Sequence, residues 1–190
     1  MPDEKTQPGQ QRTATKKQWL LFITGLLIML TGLGILGFFG GRKIYREIQK
    51  YKLIKENMAV EISDLHIKAP VLEGTEQEIL SKAAGHFPET GAPGHGNFCI
   101  AAHSSILYKE YFNNLKHAEP GMQIILYDKE KNSYCYQITE TRIVEPSEIW
   151  ILDDFGDDRI TLVTCTDDGS QRLVVTGMLD QEQLQQIQER

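Results

Sequence analysis

A chain of 190 residues, 41% of them apolar, has room for one ordinary domain plus a short appendage and is too apolar for a disordered chain. Its net charge of −6 is unevenly placed: residues 1–46 carry seven Lys/Arg and two Asp/Glu, leaving 13 basic and 24 acidic groups in the rest, a balance of −11. That acidic remainder argues against nucleic acid as a partner, because phosphate binding needs a basic surface. The three cysteines, Cys99, Cys135 and Cys165, form no C-x-x-C pair and no Cys/His cluster, which argues against a disulfide scaffold or a zinc site and leaves at least one thiol unpaired.

In chain order, residues 1–17 are a polar, proline-containing tail with no apolar periodicity. Residues 18–41 carry no charge between Lys17 and Arg42, and about 20 apolar residues suffice to cross a bilayer as a helix. A cleaved signal peptide would have a shorter apolar region and a small-x-small cleavage site, which the sequence lacks before Arg42, so a retained transmembrane helix is expected. Basic residues flank both ends of this span, and the positive-inside rule does not settle its orientation. Residues 42–58 place Ile44, Ile48, Tyr51 and Ile54 at helical spacing and predict a juxtamembrane helix or linker.

Residues 59–182 read as short β runs separated by turn residues: AVEISDLHI, APVLEG, GNFCIAAHSS, GMQIILYD, SYCYQITETRIVE, RITLVTC and RLVVTGML. Such spacing predicts a mostly β barrel or sandwich. Two short helices are expected within it, one at Thr75–Ala84 opened by a TEQE capping box and one at Tyr108–Leu115. Residues 183–190 are a polar C-terminal tail.

The chemistry concentrates in the last two runs. Cys165 ends one strand, a polar loop follows, and Arg172 opens the next; the simplest hairpin register sets Cys165 opposite Arg172, Val163 opposite Val174 and Thr161 opposite Thr176 on one face. A cation beside a thiol favours the nucleophilic thiolate, and a positioned donor stabilises the oxyanion of acyl transfer. His103 ends another run on the face of Cys99 and Ala101, and histidine can both accept and donate a proton near neutral pH. A lone strand-end histidine is more often structural; together with the cysteine and arginine it completes a constellation.

Thr161-Leu162-Val163-Thr164-Cys165, Arg172 downstream, and Ile100-Ala101-Ala102-His103 upstream resemble the sortase family of bacterial cysteine transpeptidases. The stretch before His103, with its Gly-His and Thr/Pro/Gly loop, extends the resemblance to roughly residues 60–180. The resemblance implies a closed eight-stranded β-barrel outside the membrane, with Cys165 as nucleophile, His103 as acid/base partner and Arg172 as the cation on substrate and oxyanion. Thr164, Ala102 and Ser104, next to these residues, are the candidate substrate contacts. The implied substrates are surface proteins bearing a C-terminal sorting signal, often Leu-Pro-x-Thr-Gly-like, and the acceptor is an amine of a peptidoglycan precursor or of a pilin. A single-pass protein of a Gram-positive cell membrane follows, its N-terminus cytoplasmic and its catalytic domain extracellular. Ala102 and Ser104 stand where many members have Gly and Arg or Asn, which leaves the subclass unassigned; neither an Asp-Pro-aromatic lid nor a C-terminal apolar segment is found, which favours a class A-like or related non-pilus type.

Competing readings remain at this level. Cys99 and Cys135 sit in alternating apolar runs and read as core residues. No cofactor is expected; the acidic loop from Asp153 to Asp158 is a conceivable calcium site, but it lacks EF-hand spacing and reads better as a solvated loop. His86 and His95 flank a Pro/Gly-rich stretch and lack the strand-end position of His103. The alternatives to a transpeptidase are a membrane-tethered barrel that binds without catalysis and a hydrolytic Cys-His peptidase, which differs only in what resolves the acyl-enzyme.

Overall fold

The computed structural model describes residues 16–104 and 111–180. The chain divides into two compact units, Met1–Arg46 and Glu47–Arg190. Helix α1 (Lys16–Glu56) starts in the first and ends in the second. Its apolar part is exposed throughout and is long and apolar enough to cross a membrane. The few hydroxyls there are satisfied within the helix: Thr24 donates to Leu21 O at 3.0 Å and Thr31 to Ile28 O at 2.8 Å, the local bonding that lets a polar side chain sit in an apolar helix. At the other end, within the second unit, Lys131 Nζ donates to the carbonyls of Ile54 and Asn57 at 2.8 and 2.7 Å and so ties down the end of the helix.

The second unit is a closed barrel of eight strands: β1 (Met58–Ile62), β2 (Ile67–Glu73), β3 (Ala84–His86), β4 (Asn97–Ala101), β5 (Gln123–Tyr127), β6 (Ser133–Val144), β7 (Arg159–Cys165) and β8 (Arg172–Leu179). Their order around the barrel is β1-β2-β3-β4-β7-β8-β6-β5, with β5 closing on β1. Only the β2/β3 and β4/β7 pairs are parallel. Closure removes the exposed edges that would otherwise invite pairing with other chains. Alternation along β4 and β7 sends Phe98, Ile100, Ile160 and Leu162 into the barrel with Ile62, Leu126, Tyr136 and Val175, each burial worth about 1.5–3 kcal/mol before entropy is counted. A smaller apolar cluster, Val144, Ile151, Val163 and Val174 with Phe87, Ala101 and Leu152, lies on the outer face of β7 and β8.

Several expectations change at the level of elements. The helix expected over Thr75–Ala84 shrinks to one turn, α2 (Gln77–Leu80), capped by Glu76 without a side-chain bond. The capping box is not formed, and the end of that run leaves the helix because β3 pairs with β2 and β4. The run AVEISDLHI is broken by a 3₁₀ turn at Ser63–Leu65 and a left-handed His66, with strands on both sides. Of the expected helix Tyr108–Leu115, residues 108–110 lie outside the described part, and 111–117 form turns ending in a 3₁₀ turn, Leu115–His117. Most of the N-terminal tail and the C-terminal tail 183–190 also lie outside it.

Candidate active site

The β7/β8 hairpin has the register expected from period-two alternation: Cys165 opposite Arg172, Val163 opposite Val174, Thr161 opposite Thr176. The loop between them is closed by its own polar side chains. Asp168 accepts from Thr166 Oγ1 at 2.6 Å and from Ser170 Oγ at 2.7 Å, Gln171 N donates to Thr166 Oγ1 at 3.1 Å, and Gly169 takes the positive φ of 74° that the turn requires. The hydroxyls of Thr166 and Ser170 hold the Asp168 carboxyl well down, at about 2. This loop sets the cation: Arg172 Nη1 donates to the carbonyls of Gln171 at 3.0 Å and Gly169 at 3.4 Å.

His103 arrives by a parallel strand. The β4/β7 register ends at Ala101 opposite Val163, and the pairing is carried further by Ala102 N to Val163 O at 3.1 Å and Thr164 Oγ1 to Ala102 O at 2.8 Å. Two places beyond Ala101 and Val163 stand His103 and Cys165, on neighbouring chains whose backbones in a sheet lie about 4.8 Å apart. Phe112 N donates to His103 O at 3.2 Å and holds the chain from the other side. The ring atom His103 Nε2 is sealed from solvent and has no hydrogen-bond partner among the described residues. An unpaired buried polar atom costs about 1–3 kcal/mol, a cost commonly met at functional sites.

His103, Cys165 and Arg172 are thus brought to one end of the β4-β7-β8 surface. Thr164 and Ala102, expected to touch substrate, are instead buried on the barrel side, where their mutual bond ties β4 to β7. The cause is alternation: with Cys165 outward, Thr164 must face inward. Ser104 is partly buried at the start of the undescribed segment 105–110. The three thiols are all free and differ in exposure: Cys99 and Cys135 are buried, Cys165 partly exposed. Burial pushes the Cys99 thiol up to about 12 and raises that of Cys135 as well. The two histidines that flank the Pro/Gly-rich stretch are engaged elsewhere, His86 with Glu73 at 3.0 Å and stacked on Phe98, His95 with Asp158 at 3.3 Å.

Beside Cys165 the outer apolar cluster forms a floor from Ala101, Val163 and Val174, flanked by Phe87 and by Ile151 and Leu152 of the β6–β7 loop. Further along the same face is a cavity of about 200 Å³, lined in part by Arg142, Trp150, Phe155 and Arg159. There Arg159 stacks on Phe155 at 4.1 Å and Arg142 on Trp150 at 5.4 Å. Three of the loop carboxylates are engaged: Asp154 accepts from Gly156 N, Asp157 pairs with Arg159, and Asp158 accepts from Gly96 N. Among the described residues no group of three His, Cys, Asp or Glu is gathered as metal ligands.

Sequence reasoning missed Asn97. This buried residue opens β4 on the same face as Cys99 and Ala101, and its amide bonds reach β7 and the β6–β7 loop. A lone amide heading an otherwise apolar strand was the available signal.

A closed eight-stranded barrel with a strand-end cysteine facing an arginine, and a histidine two residues past the end of the adjacent parallel strand, defines a narrow structural class. A sortase domain model matches residues 60–180, and the chain belongs to the sortase family. It is 33% identical over 122 residues to sortase A of Bacillus anthracis (63% of this chain, 58% of that protein) and 35% identical over 128 residues to sortase A of Streptococcus agalactiae (64% and 51%). The chain therefore spans about half the length of the curated relatives it matches. Among solved structures it resembles a sortase D5 transpeptidase of Clostridium perfringens (TM-score 0.60, 28% identity, 70% of this chain and 88% of that one). It also resembles a pilus-related sortase C of Group B Streptococcus (TM-score 0.60, 31% identity, 66% and 68%).

Proposed function

We propose that this chain is a membrane-anchored cysteine transpeptidase that cleaves a Leu-Pro-x-Thr-Gly-like sorting signal and transfers the protein to an amine. The observation that carries the reading is the partly exposed Cys165, facing Arg172 across one hairpin and running alongside the His103 segment through the β4/β7 pairing. In this mechanism Cys165 Sγ gives its proton to His103 and attacks the threonine carbonyl carbon, and the carbonyl oxygen takes up negative charge beside the Arg172 guanidinium. The C–N bond then breaks, the leaving amine takes a proton from His103, and a thioester on Cys165 remains. An incoming amine gives its proton to His103 and attacks the thioester; the C–S bond breaks, and His103 returns the proton to the departing sulfur to restore the Cys165 thiol. The acceptor is an amine of a cell-wall precursor or of a pilin. The floor of Ala101, Val163 and Val174 suits the apolar part of the signal, and its walls keep water from the thioester.

The anchor in this reading is the apolar stretch of α1, with residues 1–17 cytoplasmic and the barrel outside the cell. The experiment is peptide cleavage by Cys165→Ala and Arg172→Ala. Cys165→Ala should be inactive, and Arg172→Ala should lose about 100-fold or more in kcat, the scale of one lost oxyanion donor. Turnover retained by Cys165→Ala would refute the assignment.

A further inference from the structure

Beyond the three residues of the proposed chemistry, one buried side chain joins the catalytic strands to the loop that walls the apolar floor. Asn97 is 2% exposed. Its Nδ2 donates to the carbonyls of Ile151 at 3.0 Å and Asp153 at 2.9 Å, and its Oδ1 accepts from Thr161 Oγ1 at 2.7 Å. Carbonyl oxygens can only accept, so the amide can sit only one way round, and all its partners are fixed. The three bonds reach β7 and two points of the β6–β7 loop from the first residue of β4. They bracket Leu152 and set the backbone of Ile151, whose side chain packs with Val163 and Val174 beside Cys165. Two further contacts reach the end of the same loop, Gly96 N to Asp158 Oδ1 at 2.9 Å and His95 to the same carboxylate at 3.3 Å. These are exposed or partly so, whereas the Asn97 bonds to Ile151 and Thr161 are buried, where a missing partner costs most.

We infer that Asn97 is a positioning residue that holds the β6–β7 loop over the substrate-facing floor and so governs recognition of the substrate residues upstream of the scissile bond. This rests on the transpeptidase reading for its catalytic consequence but not for its structural one. Asn97 touches none of the reacting groups. Its effect therefore falls on KM and on side-chain preference, not on the reactivity of the thiol.

The test uses the full chain in detergent carrying Asn97→Asp, which keeps the shape but turns two donors into a carboxylate facing two carbonyls, and Thr161→Val, which removes the hydroxyl that orients the amide. Hydrogen exchange at residues 149–154 should speed up by at least tenfold in Asn97→Asp and less in Thr161→Val, with the β7/β8 hairpin unchanged. With sorting-signal peptides KM should rise about tenfold, with kcat and the alkylation rate of Cys165 by a small reagent within twofold of wild type. Discrimination between peptides that differ upstream of the scissile residue should fall. Unchanged loop exchange in both variants, or a loss confined to kcat, would overturn the inference. If Asn97→Asp does not fold, Thr161→Val carries the same test. If the wild-type chain turns over no peptide, the transpeptidase reading fails while loop exchange still decides the role of Asn97.

Discussion

Cys99 and Cys135 lie under packed side chains, and burial raises both thiols, Cys99 to about 12. A thiol kept protonated and covered is a poor nucleophile, so a small alkylating reagent added to the native chain should modify Cys165 and leave the other two until the barrel unfolds. Peptide mapping after limited alkylation checks this; equal labelling of Cys99 would mean that the outer face of β4 is open. Asp168 bears on the same end of the barrel through the loop that carries Arg172. Its folded-state value, about 2, lies below its ordinary 3.8. A depressed carboxyl contributes order that is present above the ordinary value and lost as pH falls through the folded one. The β7–β8 loop should therefore loosen between about pH 4 and pH 2, visible as chemical-shift changes at Gly169 and Ser170. Asp168→Asn should already show them at neutral pH.

At the scale of elements, the tie between β4 and β7 decides whether histidine and cysteine meet. Thr164→Val keeps the volume but leaves the Ala102 carbonyl without its donor at a buried position, which should cost about 1–3 kcal/mol of stability. Because the same bond aligns the His103 segment, kcat should fall in a Thr164→Val protein that remains folded at the assay temperature. Thermal melts and steady-state rates on the same preparation separate the two effects. The β7/β8 hairpin was legible in the sequence because two alternating runs joined by a short polar loop leave one simple register. The β4/β7 pairing was not, since Ala101 and Val163 are far apart in the chain and a parallel register depends on everything between them; only the family resemblance put His103 near Cys165. Strand β3 was hidden for a different reason. Ala84, Gly85 and His86 have no β-branched residue and follow a helix-like run, and they become a strand only because β2 and β4 flank them. Thr164 and Ala102 were assigned to the substrate side although the same alternation that aimed Cys165 outward turns them inward.

Over the whole molecule, the basic excess lies in residues 1–46 and the acidic excess in the rest. That division fits an anchor followed by an acidic barrel working at a surface. The full chain should sediment with membranes, resist extraction by high salt or alkali and be released by detergent; recovery in the soluble fraction would remove the anchor from the account. Similarity to sortases named A, C and D alike shows a shared barrel, and a shared barrel does not by itself fix substrate or acceptor.

The central claim, acyl transfer through Cys165, is tested most directly by intact-mass spectrometry of the detergent-solubilised chain incubated with Leu-Pro-x-Thr-Gly peptides, first alone and then with an added amine. The account predicts a mass increase equal to the peptide's N-terminal part, located on Cys165 and lost on addition of the amine as the ligated product forms. A folded chain whose Cys165 still reacts with a small alkylating reagent, yet gains no peptide mass from any member of the series, would contradict it.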